Sequence, residues 1–266
     1  SGLLAAMHFN EDIHVRGTIS PRLAYHLEEY QFLLKFRMPK VLRQVSIQYE
    51  HLAAIKENLT GIGTTFSGGV DSLYTIWKHL PQNQASTDFQ VTHGIFIRGF
   101  DILHTENDHY MQLFRQFKKQ AATIGIDLIE LDTNMLSIAH QRMNLSYLYG
   151  PLIISTGLSL SGLLKRFYIP SSWDYYTLQH TTHGSDPLLD GFLSTDSMEI
   201  IHHGSTSRRV EKVEKLANWE ISQKLLWVCL DAKFKEHSWN CSRCEKCVRT
   251  MIPLYALGVM EKYKQF

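Results

Sequence analysis

Thr64-Thr65-Phe66-Ser67-Gly68-Gly69-Val70-Asp71-Ser72 is the stretch on which the fold turns. A short apolar run, Gly63 to Phe66, stops at two adjacent glycines, and a helical pattern, Val70 to Leu80, starts directly after them. A strand that hands over to a helix through a glycine turn is the repeating joint of a parallel α/β sheet. Ligands of such sheets bind at that edge. Gly68 and Gly69 allow a tight turn and a close approach to a ligand, since neither carries a Cβ. The amides opening the next helix, with the positive end of its dipole, favour an anion. Ser67 and Ser72 add hydroxyl donors on either side. Asp71 by itself repels a phosphate, which leaves it two roles: a Mg²⁺ ligand or a structural hydrogen-bonding group.

Outward from this joint the alternation continues. Val91 to Ile97 reads as a strand, Asn107 to Ile124 as a helix closed by Gly125, and Asp127 to Leu131 as a further strand. Leu152 to Leu164 reads as a helix leading to a strand at Phe167-Tyr168-Ile169. Before the joint, Ile13 to Val15 is a short strand, Ser20-Pro21 a helix start, Arg22 to Phe36 a helix, and Val45 to Tyr49 an edge strand. Beyond residue 180 come a strand near Met198 to Ile201, a charged helix near Ser207 to Trp219 and a cysteine cluster. The expected fold is α/β, a mainly parallel sheet flanked by helices with a small C-terminal zinc-binding lobe. The expected division is an N-terminal strand–helix–strand segment (1–55), a nucleotide-binding domain (56–180) and a C-terminal lobe (181–266). Three uses stay open for the first 50 residues: capping the sheet edge, a homodimer interface, or closing over a substrate.

Two familiar phosphate loops are excluded by inspection. The Walker pattern needs a lysine that this loop lacks, and the dinucleotide pattern needs a third glycine where Phe66 stands. A lysine reaching the β and γ phosphates suits γ-transfer; a loop without one suits holding a pyrophosphate.

All four cysteines of the chain lie between Cys229 and Cys247, three of them as Cys241-x2-Cys244-x2-Cys247. Four thiolates at such spacing close a tetrahedral Zn²⁺ site with no open position for water. A disulfide framework would spread its cysteines along the chain, so the clustering points to a reducing, cytoplasmic setting. The opening Ser-Gly-Leu-Leu-Ala-Ala-Met has no charged leader before a long apolar run and does not read as a secretory signal. The most apolar stretch, Pro151 to Leu164, is interrupted by serines and too short for a bilayer, so no membrane partner is expected. With 27 basic and 26 acidic residues there is no electrostatic footprint for a long nucleic acid, and a small-molecule substrate is favoured.

Ser-Gly-Gly-Val-Asp-Ser at 67–72 resembles the signature of the N-type ATP pyrophosphatases, the PP-loop or adenine nucleotide alpha hydrolase-like family. The cysteine cluster is similar to that of its 7-cyano-7-deazaguanine synthase branch, where such cysteines bind structural zinc. The resemblance implies ATP, with Ser67, Gly68, Gly69, Val70, Asp71 and Ser72 around its β and γ phosphates together with Mg²⁺. It implies that an acceptor oxygen attacks the α-phosphate, pyrophosphate leaves, and ammonia or another nucleophile displaces AMP. No glutaminase domain is recognisable, so nitrogen would come as free ammonia or from a partner protein. The resemblance places adenine near Phe96 and Ile97, and Gly157 near the nucleotide. Cations are needed over the departing pyrophosphate, and Lys212 and Arg208 are the chosen candidates, with Arg98 as another. Two alternatives stand beside this: an RNA-modifying enzyme of the tRNA-thiolating type, with an iron–sulfur cluster at the cysteines, and a catalytically silent nucleotide-binding regulator. His183-Gly184-Ser185-Asp186-Pro187 and Ser207 to Lys212 depart from the synthase pattern, which leaves the acceptor unnamed.

Overall fold

The computed structural model describes residues 2–54, 58–102, 104, 106–140, 143–181, 183–229 and 239–266. Helix α1 (Gly2–Phe9) is followed by β1 (Ile13–Ile19), α2 (Pro21–Arg37) and β2 (Ile47–Leu52). Next come β3 (Gly61–Thr65), α3 (Val70–Lys78), β4 (His93–Arg98), α4 (Asn107–Thr123) and β5 (Asp127–Asp132). The chain continues through α5 (Met135–His140), α6 (Leu145–Leu158), β6 (Leu164–Pro170), α7 (Tyr175–His180) and β7 (Glu199–His203). It ends with α8 (Arg209–Leu216), α9 (Glu220–Leu225) and α10 (Glu245–Ala256). The class is α/β, a mainly parallel sheet flanked by helices. None of the described helices is long and apolar enough to cross a membrane.

The contacts divide the chain into two compact units, each assembled from separated segments. One comprises Ser1–Ile62, Asn134–Ile169 and Tyr176–His203; the other Gly63–Thr133, Pro170–Tyr175 and Gly204–Phe266. The division expected at residues 55 and 180 follows the order of the chain, whereas these units interleave.

In the first unit, β1 and β2 pair in parallel, Ile13 opposite Ile47, with α2 as the crossover between them. Helix α2 starts where the sequence said it should: Ser20 is extended, its hydroxyl accepts the Leu23 amide at 3.2 Å, and Pro21 opens the first turn. The helix expected at Leu152 to Leu164 starts instead at Leu145, because Asn144 caps it by accepting the Ser146 amide at 2.9 Å and Pro151 sits inside it. It stops at Leu158, and Leu164 already belongs to a strand. A Cβ on Gly157 would stand 2.4 Å from the Phe167 ring, so glycine is required there for α6 to lie close to β6.

The same unit holds a buried polar cluster. Asp190, 1% exposed, accepts from the Ser185 hydroxyl at 2.7 Å and pairs with His202 Nδ1 at 2.7 Å through the same oxygen, Oδ2. Arg37 pairs with Asp186, whose other oxygen takes the amides of Leu188 and Leu189 at 2.7 and 3.0 Å. Of the adjacent histidines His202 and His203, the first therefore has a buried acidic partner.

In the second unit β3, β4 and β5 lie side by side, all parallel, with Gly63 opposite His93 and His93 opposite Asp127. Helix α4 is amphipathic and buries Tyr110, Leu113, Phe117 and Ala121. Burial of each large side chain is worth on the order of 2 kcal/mol. Phe96, expected at the adenine, lies among the rings of Tyr110, Phe114 and Phe117 at 5.1–5.8 Å and is 2% exposed. It is a core residue of this unit, and Ile97 beside it is half-buried.

Candidate functional site: an anion loop and a four-cysteine cluster

The loop after β3 is held by its own serines. Ser72, 4% exposed, donates its hydroxyl hydrogen to the Thr65 carbonyl at 2.7 Å and accepts the Ser67 amide at 3.1 Å. That hydrogen is committed to the backbone, so Ser72 shapes the turn in this structure instead of offering a donor to a ligand. Ser67 is half-buried, and its hydroxyl accepts the Gly69 amide at a long 3.4 Å. Gly68 has φ +79°, and a Cβ there would meet the Phe117 ring at 2.5 Å and the Leu225 carbonyl oxygen at 2.8 Å. Glycine is thus demanded twice, by conformation and by space. Helix α3 starts at Val70, wholly buried, and no side chain caps its first turn. Its opening amides present the positive end of the helix at the loop.

Asp71, in the first turn of α3, answers the question left by the sequence. Its Oδ1 accepts from Lys212 Nζ at 2.9 Å and its Oδ2 from Arg209 Nη1 at 3.3 Å. Both oxygens are taken by cations, which is the hydrogen-bonding role. A dication held directly by Asp71 would face two positive charges, so the arrangement does not fit a protein-bound Mg²⁺ at this carboxylate.

Lys212 is 1% exposed. Besides Asp71 it donates to the Ser171 carbonyl at 2.6 Å, and its ammonium lies 5.8 Å from the Tyr74 ring centroid. A lysine this buried is tolerable only with such partners. Arg208 is exposed at the start of α8, and its backbone amide donates to Glu211 Oε2 at 2.8 Å. The second cation at Asp71 is therefore Arg209, while Arg208 faces solvent. The helix phase explains this. The buried stripe of α8 is Lys212, Val213 and Leu216, and Arg209 lies three and four residues before the first two. That apolar spacing was available in the sequence. Burial lowers the Arg209 pKa, and Asp71 partly offsets the effect.

The four cysteines come together as expected. None is in a disulfide, and their sulfurs all lie within 4.8 Å of one another. Cys241 and Cys247 stand 3.9 Å apart, Cys244 and Cys229 4.0 Å, and the Cys244 amide donates to the Cys241 sulfur at 3.2 Å. Burial opposes a Cys241 thiolate, yet the amides of Arg243 and Cys244 and the neighbouring thiols bring its pKa down to about 6. Burial and the adjacent thiols push Cys247 the other way. Such a group of thiols fits a single ion enclosed on all sides. Gly157, named for the nucleotide, lies in the first unit and is accounted for by its packing on Phe167.

No family model matches the chain, and no curated protein matches it. Among solved structures it is similar to the U34-tRNA thiolase NcsA from Methanococcus maripaludis, determined with its 4Fe-4S cluster. The two share 13% identity over 91% of this chain and 75% of that one, with a TM-score of 0.39. A likeness at that level assigns nothing to the chain.

Proposed function

We propose that the chain is an ATP pyrophosphatase of the PP-loop type, which adenylates an oxygen of a small molecule and releases pyrophosphate. The observation that carries this reading is the clamp at Asp71: two cations, one of them buried, held by a carboxylate in the first turn of an uncapped helix behind a double-glycine turn. Lys212 and Arg209 bring positive charge to a loop that has no lysine of its own. Asp71 fixes their positions, so they need no rearrangement as charge builds on a leaving group.

ATP would lie with its β and γ phosphates on the amides of Gly68 to Asp71 and the Ser67 hydroxyl. The acceptor oxygen forms a bond to the α-phosphorus as the bond from that phosphorus to the β-bridging oxygen breaks. The electron pair stays with pyrophosphate, whose new charge Lys212 and Arg209 stabilise. A nucleophile, ammonia in the simplest case, then displaces AMP from the activated acceptor. Mg²⁺ would arrive with the triphosphate, as it does where carboxylates do not cage it. The near balance of charge supports a small-molecule acceptor over RNA.

At the cysteines we propose zinc. A Zn–S distance of about 2.3 Å gives a tetrahedron with edges of about 3.8 Å. The sulfur separations of 3.9 Å between Cys241 and Cys247 and 4.0 Å between Cys244 and Cys229 lie near that value. In a four-iron cluster each thiolate holds a different corner, which spreads the sulfurs further. With all four thiols engaged, the chain keeps no cysteine for a persulfide. Purified protein is expected to carry one zinc per chain by elemental analysis. Stoichiometric iron with visible charge-transfer absorbance would overturn this assignment.

The function is tested with ATP labelled in its α-phosphate, incubated with Mg²⁺ and either a small-molecule metabolite extract or total tRNA. Label is expected in AMP, with pyrophosphate formed alongside, when the extract is present and not when Asp71→Asn replaces the native protein. ADP as product refutes the mechanism, and AMP formed only with tRNA transfers the reading to an RNA acceptor.

A further inference from the structure

The cysteine cluster and the anion loop belong to the same compact unit, and two short chains of hydrogen bonds lead from one to the other. The first runs through the segment that ends in Cys229. Asn240, 1% exposed and adjacent to Cys241, accepts the amides of Val228 and Cys229 at 2.8 and 3.1 Å and donates to the Leu226 carbonyl at 2.9 Å. It thereby ties the two cysteine-bearing segments together. Between those anchors the Trp227 amide donates to the Gly68 carbonyl at 2.9 Å, and the Leu225 carbonyl oxygen lies 2.8 Å from where a Cβ on Gly68 would stand. The second runs through α10, whose N-cap is Cys244 and whose first turn holds Cys247. One turn on, Thr250 is wholly buried; its hydroxyl donates to the Lys246 carbonyl at 2.7 Å and accepts from Arg209 Nη2 at 3.2 Å. The same guanidinium reaches Asp71.

We infer that Thr250 and Asn240 are positioning residues through which closure of the cysteine cluster around its metal sets the anion loop. Neither is a thiolate and neither belongs to the loop. Asn240 sets where Gly68 lies, and Thr250 sets the angle at which Arg209 meets Asp71. The cluster is then more than a staple for the C-terminal residues: an ion held by four thiolates fixes both chains at one end, and the loop is fixed at the other. This rests on the anion-binding reading of the loop. Coupling of this kind is reciprocal, so a ligand that orders the loop must tighten the metal by the same factor that the metal tightens the ligand.

Zinc is the probe, with its affinity measured by competition against a chromophoric chelator, with and without saturating Mg·ATP. The native chain is expected to bind zinc about tenfold more tightly with Mg·ATP present. Thr250→Val, which keeps shape but loses the hydroxyl, is expected to retain one zinc and lower that ratio, the chain through Asn240 keeping the rest. Thr250→Ser is expected to restore it. A second readout needs no nucleotide. Stripping zinc is expected to speed hydrogen exchange at the Ser67, Gly69 and Trp227 amides while leaving Ile95 and Phe96 in β4 protected. Equal acceleration at all five would make the cluster a global staple and overturn the inference. So would an unchanged zinc affinity in protein that demonstrably binds Mg·ATP, or a Thr250→Val ratio equal to the native one. If Mg·ATP does not bind at all, the proposed function fails, and the exchange pattern alone decides whether the metal sets the loop.

Discussion

Lys212→Met is expected to lower stability by about 3–5 kcal/mol, read as a fall in the urea midpoint at constant slope. Methionine fills most of the space of a lysine side chain, so the loss is not one of volume. It strands the Asp71 carboxylate, 17% exposed, with Arg209 as its remaining cation at 3.3 Å, and removes the donor from the Ser171 carbonyl. A buried ion pair broken on one side costs far more than the intact pair contributes. Asp71→Asn combined with Lys212→Met should therefore cost less than the two single changes added together, by about 1–3 kcal/mol. In the labelled-ATP assay the single lysine change should also slow AMP formation by about 10²–10³-fold. A midpoint within error of the native one would mean that the ammonium is not buried where the structure places it.

Gly68→Ala is the second large effect. A left-handed backbone costs a residue with a Cβ about 1–2 kcal/mol. The new methyl would lie 2.5 Å from the Phe117 ring and 2.8 Å from a backbone oxygen. The ring can move at some cost, of the order of 1–3 kcal/mol for overpacking, whereas the Leu225 carbonyl is part of the segment that leads to Cys229. The expected total is about 2–5 kcal/mol, with loss of nucleotide binding in whatever fraction stays folded. Gly69→Ala is the informative control. Its φ is −69°, and its added Cβ would meet only the Ser67 hydroxyl oxygen at 3.5 Å. Equal damage from the two changes would refute the packing argument for Gly68.

Where local chemistry dictates structure, the sequence was a good guide. The turn at 67–69, helices α3 and α4, strands β4 and β5 and the meeting of the four cysteines are all legible from glycines, apolar periodicity and thiol spacing. The start of α6 was placed at Leu152, whereas Asn144 is the true cap and Pro151 sits inside the helix. Arg209 was passed over because two neighbouring arginines look alike until the apolar stripe of the helix is used to phase them. Asp71 could not be resolved between metal ligand and ion-pair partner, since its partners lie 138 and 141 residues away. Asp190 and His202 stand only 12 residues apart, and their pairing was hidden by a stretch whose composition is that of an ordinary turn.

The interleaving of the two units has a consequence for how the protein is made. The first unit has its first segment before Gly63 yet needs residues up to His203, and the second begins at Gly63 yet needs residues that follow His203. On the ribosome, therefore, the segment before Gly63 cannot finish folding as a unit while the next one waits its turn. The partners of Asp71 emerge 138 and 141 residues after it, so the nascent loop must wait for its cations until α8 has been synthesised.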